Sequence, residues 1–178
     1  MTSVSEHYER HLAPVYLWMA GGFDAATRRG QAELEAVCPH PVDGLSAIDL
    51  GAGFGMHAIP LARSGCTVTA IDSSACLLGI LRNHAGALPV RTVEADLLSF
   101  KEHVHAQADL ILCMGDTVTH LPSREAVAGL FADVASALKT GGTFVVSFRD
   151  YTSPLIGAAR FIPVRSDADR ILTCLLEY

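Results

Sequence analysis

The run AIDLGAGFG, residues 47–55, constrains the fold of this chain more than any other stretch. Small and apolar residues lead into Asp49 and Leu50, as in a buried strand, and glycine then recurs at positions 51, 53 and 55. Glycine tolerates positive φ and lets backbone or ligand approach closely, so this spacing predicts a tight turn shaped around a ligand. The run MHAIPLARSG predicts a helix after the turn, and Gly65 is placed to end it.

A second predicted strand and an acid follow at a spacing typical of a nucleoside site. The run TVTAID, residues 67–72, ends in Asp72, which comes 21 residues after Gly51. A carboxylate in this position can accept two hydrogen bonds from a ribose diol. A dinucleotide fingerprint, G-x-G-x-x-G, needs its third glycine at position 56, but Met56 stands there and glycine comes one residue early, at Gly55. A nicotinamide dinucleotide is therefore the less favoured ligand.

The later motifs complete a pattern that resembles one family. After D-x-G-x-G-x-G and the strand ending in Asp72 come VEADLLSF with Asp96, the apolar run ADLILCMGD, and GGTFVVSF. Together they resemble the class I, Rossmann-like, S-adenosylmethionine (SAM) dependent methyltransferases of small-molecule type, in register over residues 47–148. The alternation of strands and helices predicts an α/β fold, a doubly wound, mostly parallel sheet with helices on both faces.

The resemblance implies SAM as the cofactor and a set of residues that hold it. Asp72 would bind the ribose, Asp96 would accept from the adenine amine, and the Leu97 N–H would meet a ring nitrogen. Leu77 would form an apolar wall for adenine. The predicted cofactor-binding residues are Tyr16, Asp49, Gly51, Ala52, Gly53, Gly55, Asp72, Ser73, Leu77, Asp96, Leu97, Cys113 and Met114.

Polar residues follow the fourth and fifth predicted strands, at the edge where ligands bind in such sheets. Asp116, His120 and Tyr151 are the predicted catalytic residues, which would take a proton from an acceptor amine or hydroxyl. Two other interpretations stay open: His120 could bond a carbonyl at a helix end, and the loop at 149–151 could be solvated. The histidines form no H-E-x-x-H motif, and no metal site is predicted.

Two further helices carry recognisable ends. In SSACLLGILRNHAG, Ser73 or Ser74 can cap the start and Gly86 can end the helix. In SREAVAGLFADVASALKTGG, Ser123 is the predicted cap and the two glycines form a turn into the next strand. These helices complete the predicted core over residues 46–148.

The two flanks are predicted to cover the core. Residues 8–37 read as two helical pieces, 8–22 and 23–37. The resemblance implies that residues 1–37 form a lid with Tyr8 or Tyr16 near the methionyl end of SAM; plain packing onto the domain is the other interpretation. Residues 149–178 would begin an acceptor-side region, with a helix or loop followed by a strand from about Ile171 to the terminus. Because the chain stops at Tyr178 inside a predicted strand, we expect residues 1–178 to form a single methyltransferase domain that lacks its C-terminal strand.

The amino-acid composition limits the kinds of partner that the protein is expected to bind. A formal charge of −6 without a cluster of Lys and Arg argues against a nucleic-acid partner. Five cysteines, odd in number and without C-x-x-C spacing, are typical of a reduced, cytoplasmic protein. No apolar run approaches the roughly 20 residues of a membrane span. We therefore expect a small-molecule methyl acceptor and no membrane partner, and an exposed edge strand favours a homodimer.

The predicted function is methyl transfer from SAM to a small molecule by in-line displacement. The N-terminal run YxxxLAPxYxWMxGG resembles the glycine or small-amine N-methylating branch, which implies an amine acceptor. The first alternative is a catalytically inactive SAM-binding protein. The second, with weaker support from the glycine spacing, is a NAD-dependent oxidoreductase.

Overall fold

A five-stranded parallel sheet, in the order β3-β2-β1-β4-β5, forms the centre of the protein. The computed structural model describes residues 13–38, 42–150 and 152–177. The sheet strands are β1 (Ser46–Leu50), β2 (Thr67–Asp72), β3 (Val90–Glu94), β4 (Ala108–Cys113) and β5 (Leu138–Val146). The helices are α1 (Ala13–Met19), α2 (Phe23–Val37), α3 (Ala58–Arg63), α4 (Ala75–Ala85) and α5 (Arg124–Ala137), with 3₁₀ helices at Leu97–His103, Thr117–His120 and Gly157–Arg160.

Both faces of the sheet are covered, because alternate side chains of each strand point to opposite faces. In β1, Ile48 and Leu50 pack on one face in a cluster with α5 and the first 3₁₀ helix, while Ala47 packs on the other. Side chains of α2, α3 and α4 cover that second face, among them Leu34, Leu61, Leu78 and Leu81. Each fully buried leucine contributes about 1.5 to 3 kcal/mol. The predicted doubly wound α/β sheet is confirmed.

Helix α4 begins and ends where the sequence predicts. Of the two predicted caps, Ser74 is the one that acts: its hydroxyl accepts from the Leu77 N–H at 3.2 Å. Gly86 follows the last helical residue. The start of α4 is thereby held at the carboxyl end of β2.

Helix α5 ends earlier than the sequence predicts. Ser123 caps its start as expected, but the helix ends at Ala137 and not at the glycine turn. Leu138 already lies opposite Ala108 in the sheet, and the register with β4 then shifts. Gly141, with φ +81°, lies within this irregular stretch. Pairing with β4 therefore outweighs the helical pattern of Leu138, Lys139 and Thr140.

The C-terminal region contains one more strand than the sequence predicts. A strand from Ile171 is confirmed as β7 (Ile171–Leu175), but β6 (Phe161–Ser166) precedes it, in a stretch expected to be helix or loop. These strands form an antiparallel hairpin separate from the main sheet. Its turn lies against α1, where the Arg170 guanidinium is 4.6 Å from the ring centroid of Trp18.

Asp109 on β4 joins the amino ends of three strands. Its Oδ2 accepts from the N–H and the hydroxyl of Ser46 on β1, at 2.9 and 2.7 Å, and from Lys139 Nζ on β5, at 2.8 Å. The hydrogen bonds from Lys139 and Ser46 hold the pKa of this carboxyl well below its usual range. Because β1 and β4 are adjacent in the sheet but not consecutive in the chain, this contact helps to set their register.

We expect Asp109→Asn to lower the melting temperature at pH 7 by several degrees. Because the folded-state pKa is depressed, the carboxylate stabilises the fold above the unfolded pKa of about 3.9 and loses this effect as the pH falls below it. The difference between wild type and variant, followed by thermal unfolding, should therefore shrink toward pH 3.

Asp133→Asn is the matched control. Asp133 forms an exposed ion pair with Lys101 at 3.0 Å, and such surface pairs contribute little. An equal change in both variants would show that Asp109 acts only as one more surface charge.

Candidate functional site

The glycine turn at the carboxyl end of β1 is held by backbone contacts with β2. The N–H groups of Gly51 and Ala52 both donate to Ile71 O, at 2.9 and 3.0 Å. Gly51 and Gly53 adopt φ values of +74° and +53°, which side-chain-bearing residues rarely adopt. The turn therefore has the tight form that the sequence predicts.

The three glycines of the turn face different surroundings. A Cβ on Gly51 would lie 2.5 Å from Thr117 Cγ2, and a Cβ on Gly55 would lie 2.3 Å from Leu81 Cδ1. A Cβ on Gly53 would meet only Leu77 Cδ1 among the described residues, at 3.8 Å. Packing within the protein thus accounts for two of the glycines, and Gly53 marks the part of the turn with space for a ligand.

Asp72, at the end of β2, is bound to both sides of this space. Its Oδ2 accepts from the Gly53 N–H at 2.7 Å and its Oδ1 accepts from the Ser74 N–H at 2.8 Å. Ser73, between them, is exposed. The carboxylate thus links the glycine turn to the start of α4.

Asp96 lies beyond β3, the neighbour of β2 in the sheet. Its Oδ1 accepts from the Leu98 N–H at 2.8 Å and so caps the first 3₁₀ helix. The side chain of Asp96 is exposed and that of Leu97 is half-buried. Leu77 is buried next to the glycine turn. The carboxyl ends of β1, β2 and β3 thus contribute one row of predicted cofactor residues.

Asp49 is a buried carboxylate beneath this row. It is 2% exposed, and its Oδ2 has no hydrogen-bond partner among the residues that the structure describes. The pKa of Asp49 is raised to about 6: burial is the main cause and the charge of Asp72 adds to it, while the charge of His57 and the Ala58 N–H act in the opposite direction. Such an atom is expected to meet a donor or a cation.

Cys113 and Met114 end β4 beside Asp49. Both are buried, and burial raises the pKa of the Cys113 thiol to about 12, with the Asp49 charge adding to the effect. The thiol is therefore protonated at neutral pH and forms part of an apolar wall.

Of the three predicted catalytic residues, the structure describes Asp116 and His120. Asp116 accepts from the Arg149 N–H at 2.9 Å and from Arg149 Nε at 2.5 Å, which ties the end of β4 to the residues after β5. Burial raises the pKa of Asp116, but the hydrogen bonds and charge of Arg149 outweigh it, so the pKa lies below its usual value. His120 is exposed at the end of the second 3₁₀ helix. Tyr151 lies outside the described residues, as does Tyr8.

Tyr16 contacts the glycine turn through an aromatic neighbour. Its ring lies edge-on to that of Phe54, with centroids 5.9 Å apart. Phe54 is buried, so α1 is anchored to the turn on this side. Phe54 had no predicted role, although a phenylalanine inside a glycine-rich turn is itself an indication of packing by a flanking element.

Two other contacts of the site were missing from the predictions. Thr117 lies over Gly51, and its hydroxyl donates to Met114 O at 3.0 Å. Glu33 on α2 bonds His57 across 2.8 Å. Neither pair is close in sequence, and no spacing rule indicates it. No group of three or more metal-ligating side chains occurs in residues 13–38, 42–150 and 152–177.

Comparison with known proteins identifies the fold unit. The methyltransferase domain family matches residues 47–142, more than half of the chain. The chain belongs to this family. The matched segment of this methyltransferase domain runs from β1 to the start of β5, so it includes the glycine turn, Asp72 and Asp96.

Curated relatives of this methyltransferase domain are longer proteins. The glycine/sarcosine N-methyltransferase of Aphanothece halophytica is 30% identical over 106 residues, which cover 58% of this chain and 40% of the relative. The cypemycin N-terminal methyltransferase of a Streptomyces species is 30% identical over 140 residues, covering 75% of this chain and 54% of the relative. The methyltransferase domain spans about half the length of these relatives or less.

Solved structures show the same fold. The magnesium protoporphyrin IX methyltransferase of Synechocystis, with bound SAM, superimposes with a TM-score of 0.65 at 20% identity, over 96% of this chain and 92% of that one. The CcbJ methyltransferase of Streptomyces caelestis gives a TM-score of 0.72 at 23% identity, over 92% and 66%. At these identities the likeness concerns the fold alone.

The contact between Gly51 and Thr117 leads to a test of the turn. We expect Gly51→Ala to destabilise the methyltransferase domain more than Gly44→Ala, as measured by urea unfolding. Both glycines have nearly the same φ, +74° and +75°, which costs an alanine about 1 to 2 kcal/mol. A Cβ on Gly44 would meet no described atom within 4 Å, whereas one on Gly51 would clash with Thr117 and add about 1 to 3 kcal/mol.

The double variant Gly51→Ala, Thr117→Ala should recover much of the added loss, because it removes the two nearest atoms. Equal destabilisation by the two single alanine variants would contradict the assignment of Thr117 as the residue that requires glycine at position 51.

Proposed function

We propose that this methyltransferase domain binds SAM at the carboxyl end of its sheet and transfers the methyl group to a small-molecule acceptor, most simply an amine. The observation that carries the proposal is the buried Oδ2 of Asp49, which has no partner among the described residues and lies beside a glycine turn that leaves space at Gly53. SAM carries an ammonium and a sulfonium group, which suit a buried carboxylate. The pyrophosphate of a dinucleotide is anionic and would be repelled there.

The remaining contacts of the cofactor follow the row of strand ends. Asp72 is placed to accept from the ribose hydroxyls while it holds Gly53 and Ser74. Asp96 is assigned to the adenine amine and the Leu97 N–H to a ring nitrogen. Leu77, buried against the turn, would provide the apolar contact. Membership in the methyltransferase domain family supports these assignments. So do the names of the two curated relatives and of the solved structure with bound SAM, all of which are methyltransferases.

The chemistry places modest demands on the protein. When bound, SAM supplies a methyl group already activated by the positive sulfur. The protein then has to hold an acceptor in line with it, and such orientation lowers a barrier by up to roughly 7 to 11 kcal/mol. An acceptor that must lose a proton needs a base nearby.

Among the catalytic candidates, the contacts favour His120 as that base. The lowered pKa of Asp116 makes it a weak proton acceptor, and its bonds to Arg149 fit a role in joining the ends of β4 and β5. His120 is exposed to solvent. It also lies close enough to Asp116 for its charge to lower the pKa of that carboxyl. Tyr151 remains a third candidate.

We infer that the flanks cover this site as parts of a single domain, with residues 1–37 as a lid and residues 149–178 on the acceptor side. Tyr16 packs on Phe54 of the turn, and Trp18 on the same helix donates to Asp167 Oδ2 in the β6–β7 hairpin. Helix α1 therefore touches both the cofactor side and the hairpin, as expected of a lid.

The proposal also covers the binding partners, cellular location and oligomeric state of the protein. No helix in the described part of the chain could cross a membrane. A net charge of −6 supports the absence of a nucleic-acid partner, and five cysteines without a disulfide support a cytoplasmic location. Exposed apolar side chains on the hairpin, such as Phe161 and Ile171, support a homodimer, which light scattering would detect.

Titration calorimetry with SAM, S-adenosylhomocysteine (SAH) and NAD tests the cofactor. We expect the first two to bind and NAD to give no heat, and binding of NAD alone would overturn the proposal. A methyl-transfer assay with small amines then separates an active enzyme from the alternative, a SAM-binding protein without turnover.

We expect Asp72→Ala to weaken SAH binding by about 10- to 100-fold, because a hydrogen bond to a charged group contributes about 1.5 to 3 kcal/mol. Glu102→Ala, which removes an exposed carboxylate on the first 3₁₀ helix, should bind as wild type does. Asp72 also holds the turn, so urea unfolding of each variant is needed alongside. Unchanged affinity in a folded Asp72→Ala variant would place the ribose elsewhere.

A further inference from the structure

Helix α2 lies unusually close to the segment that follows the glycine turn. A Cβ on Gly30, in the middle of α2, would lie 2.1 Å from Met56 O, so only glycine permits this approach. A glycine inside a helix costs about 1 kcal/mol relative to alanine. The close contact fixes the position of α2 against residues 56 and 57.

One turn further along α2, Glu33 reaches the residue that begins α3. Glu33 Oε2 and His57 Nε2 are 2.8 Å apart, and His57 is 8% exposed. Arg29, on the same helix face, lies 3.9 Å from the other oxygen of Glu33. The imidazole is therefore held in one orientation by a carboxylate from a different element.

His57 in turn stands next to the buried carboxylate of the site. Asp49 accepts from the N–H of Ala58, the residue after His57, and the charge of His57 lowers the pKa of Asp49. Among the described residues, the other titratable groups that face Asp49 are Asp72 at the end of β2 and the Cys113 thiol at the end of β4. Of these neighbours, only His57 can carry a positive charge.

We propose that Glu33 and His57 form a positioning pair that keeps Asp49 ionised beneath the glycine turn, ready to receive the ammonium group of the cofactor's methionine part. This inference rests on the proposed SAM site and deepens it. Glu33 orients the ring, and the ring offsets the burial of Asp49. Neither residue touches the cofactor in this arrangement, so both act through Asp49.

Comparing the binding of two ligands distinguishes an effect of the Glu33–His57 pair on Asp49 from a general effect on the structure. SAH carries the ammonium group, whereas 5′-methylthioadenosine has the same adenosine and thioether but lacks the amino acid part. The affinity of wild type for SAH should fall as the pH is lowered through about 6, where Asp49 takes up a proton. The affinity for methylthioadenosine should not follow this profile. Its binding also reports whether a variant is folded.

In Glu33→Gln and His57→Gln, the fall in SAH affinity should occur at higher pH than in wild type. A rise of one unit in the pKa of Asp49 would weaken SAH binding about threefold at pH 6.5. Glu35→Gln is the matched control, because Glu35 lies on the same helix but bonds Gln31, at 2.8 Å. It should keep the wild-type profile for both ligands.

The outcomes are distinct. A shift seen with SAH only, in Glu33→Gln and His57→Gln but not in Glu35→Gln, supports the pair. Profiles equal to wild type in all three variants, or equal shifts for both ligands, overturn it while leaving the SAM site standing. Failure of wild type to bind either ligand overturns the proposed function, and the role of the pair with it.

Discussion

The site depends on the attachment of the glycine turn to β2. Ile71 O receives two N–H groups from the turn, and Asp72 receives a third from Gly53. The same carboxylate bonds the Ser74 N–H, where α4 begins. A few hydrogen bonds thus hold the first strand, the second strand and a helix start in one arrangement. Since neighbouring parallel strands end at the same edge, this arrangement also sets the distance between the two acids of the site.

A buried acid beneath that turn opposes folding. Because its pKa is raised, ionisation of Asp49 costs more in the folded state than in the unfolded state, so the protein loses stability as the pH rises through about 6. A pKa about two units above the unfolded value corresponds to about 3 kcal/mol at neutral pH. This cost is retained at the place where a cationic ligand would offset it. The chain surrounds Asp49 with an N–H from Ala58 and with His57, which reduce this cost.

The cofactor half of the fold is predictable because it is encoded locally. Glycine spacing, an acid after each strand and serine caps act within a few residues, and β1, β2 and α2 (Phe23–Val37) coincide with the predicted segments. The errors arise where distant parts compete. Helix α5 ends early because Leu138 pairs with β4, and β6 forms because a hairpin partner follows it. Glu33 and His57 are 24 residues apart, and the one local sign of their contact is Gly30 inside a helix.

The proposed acceptor side of the protein is held together by contacts between helix α1 and the β6–β7 hairpin. Helix α1 packs on Phe54 through Tyr16 and meets the hairpin through Trp18, whose ring lies near Arg165 and Arg170. Helix α1 therefore connects the glycine turn with the hairpin. The cofactor motifs carry no information about this cover. We propose that the flanks bind the acceptor, and the core motifs therefore predict the chemistry of the proposed reaction better than they predict its acceptor.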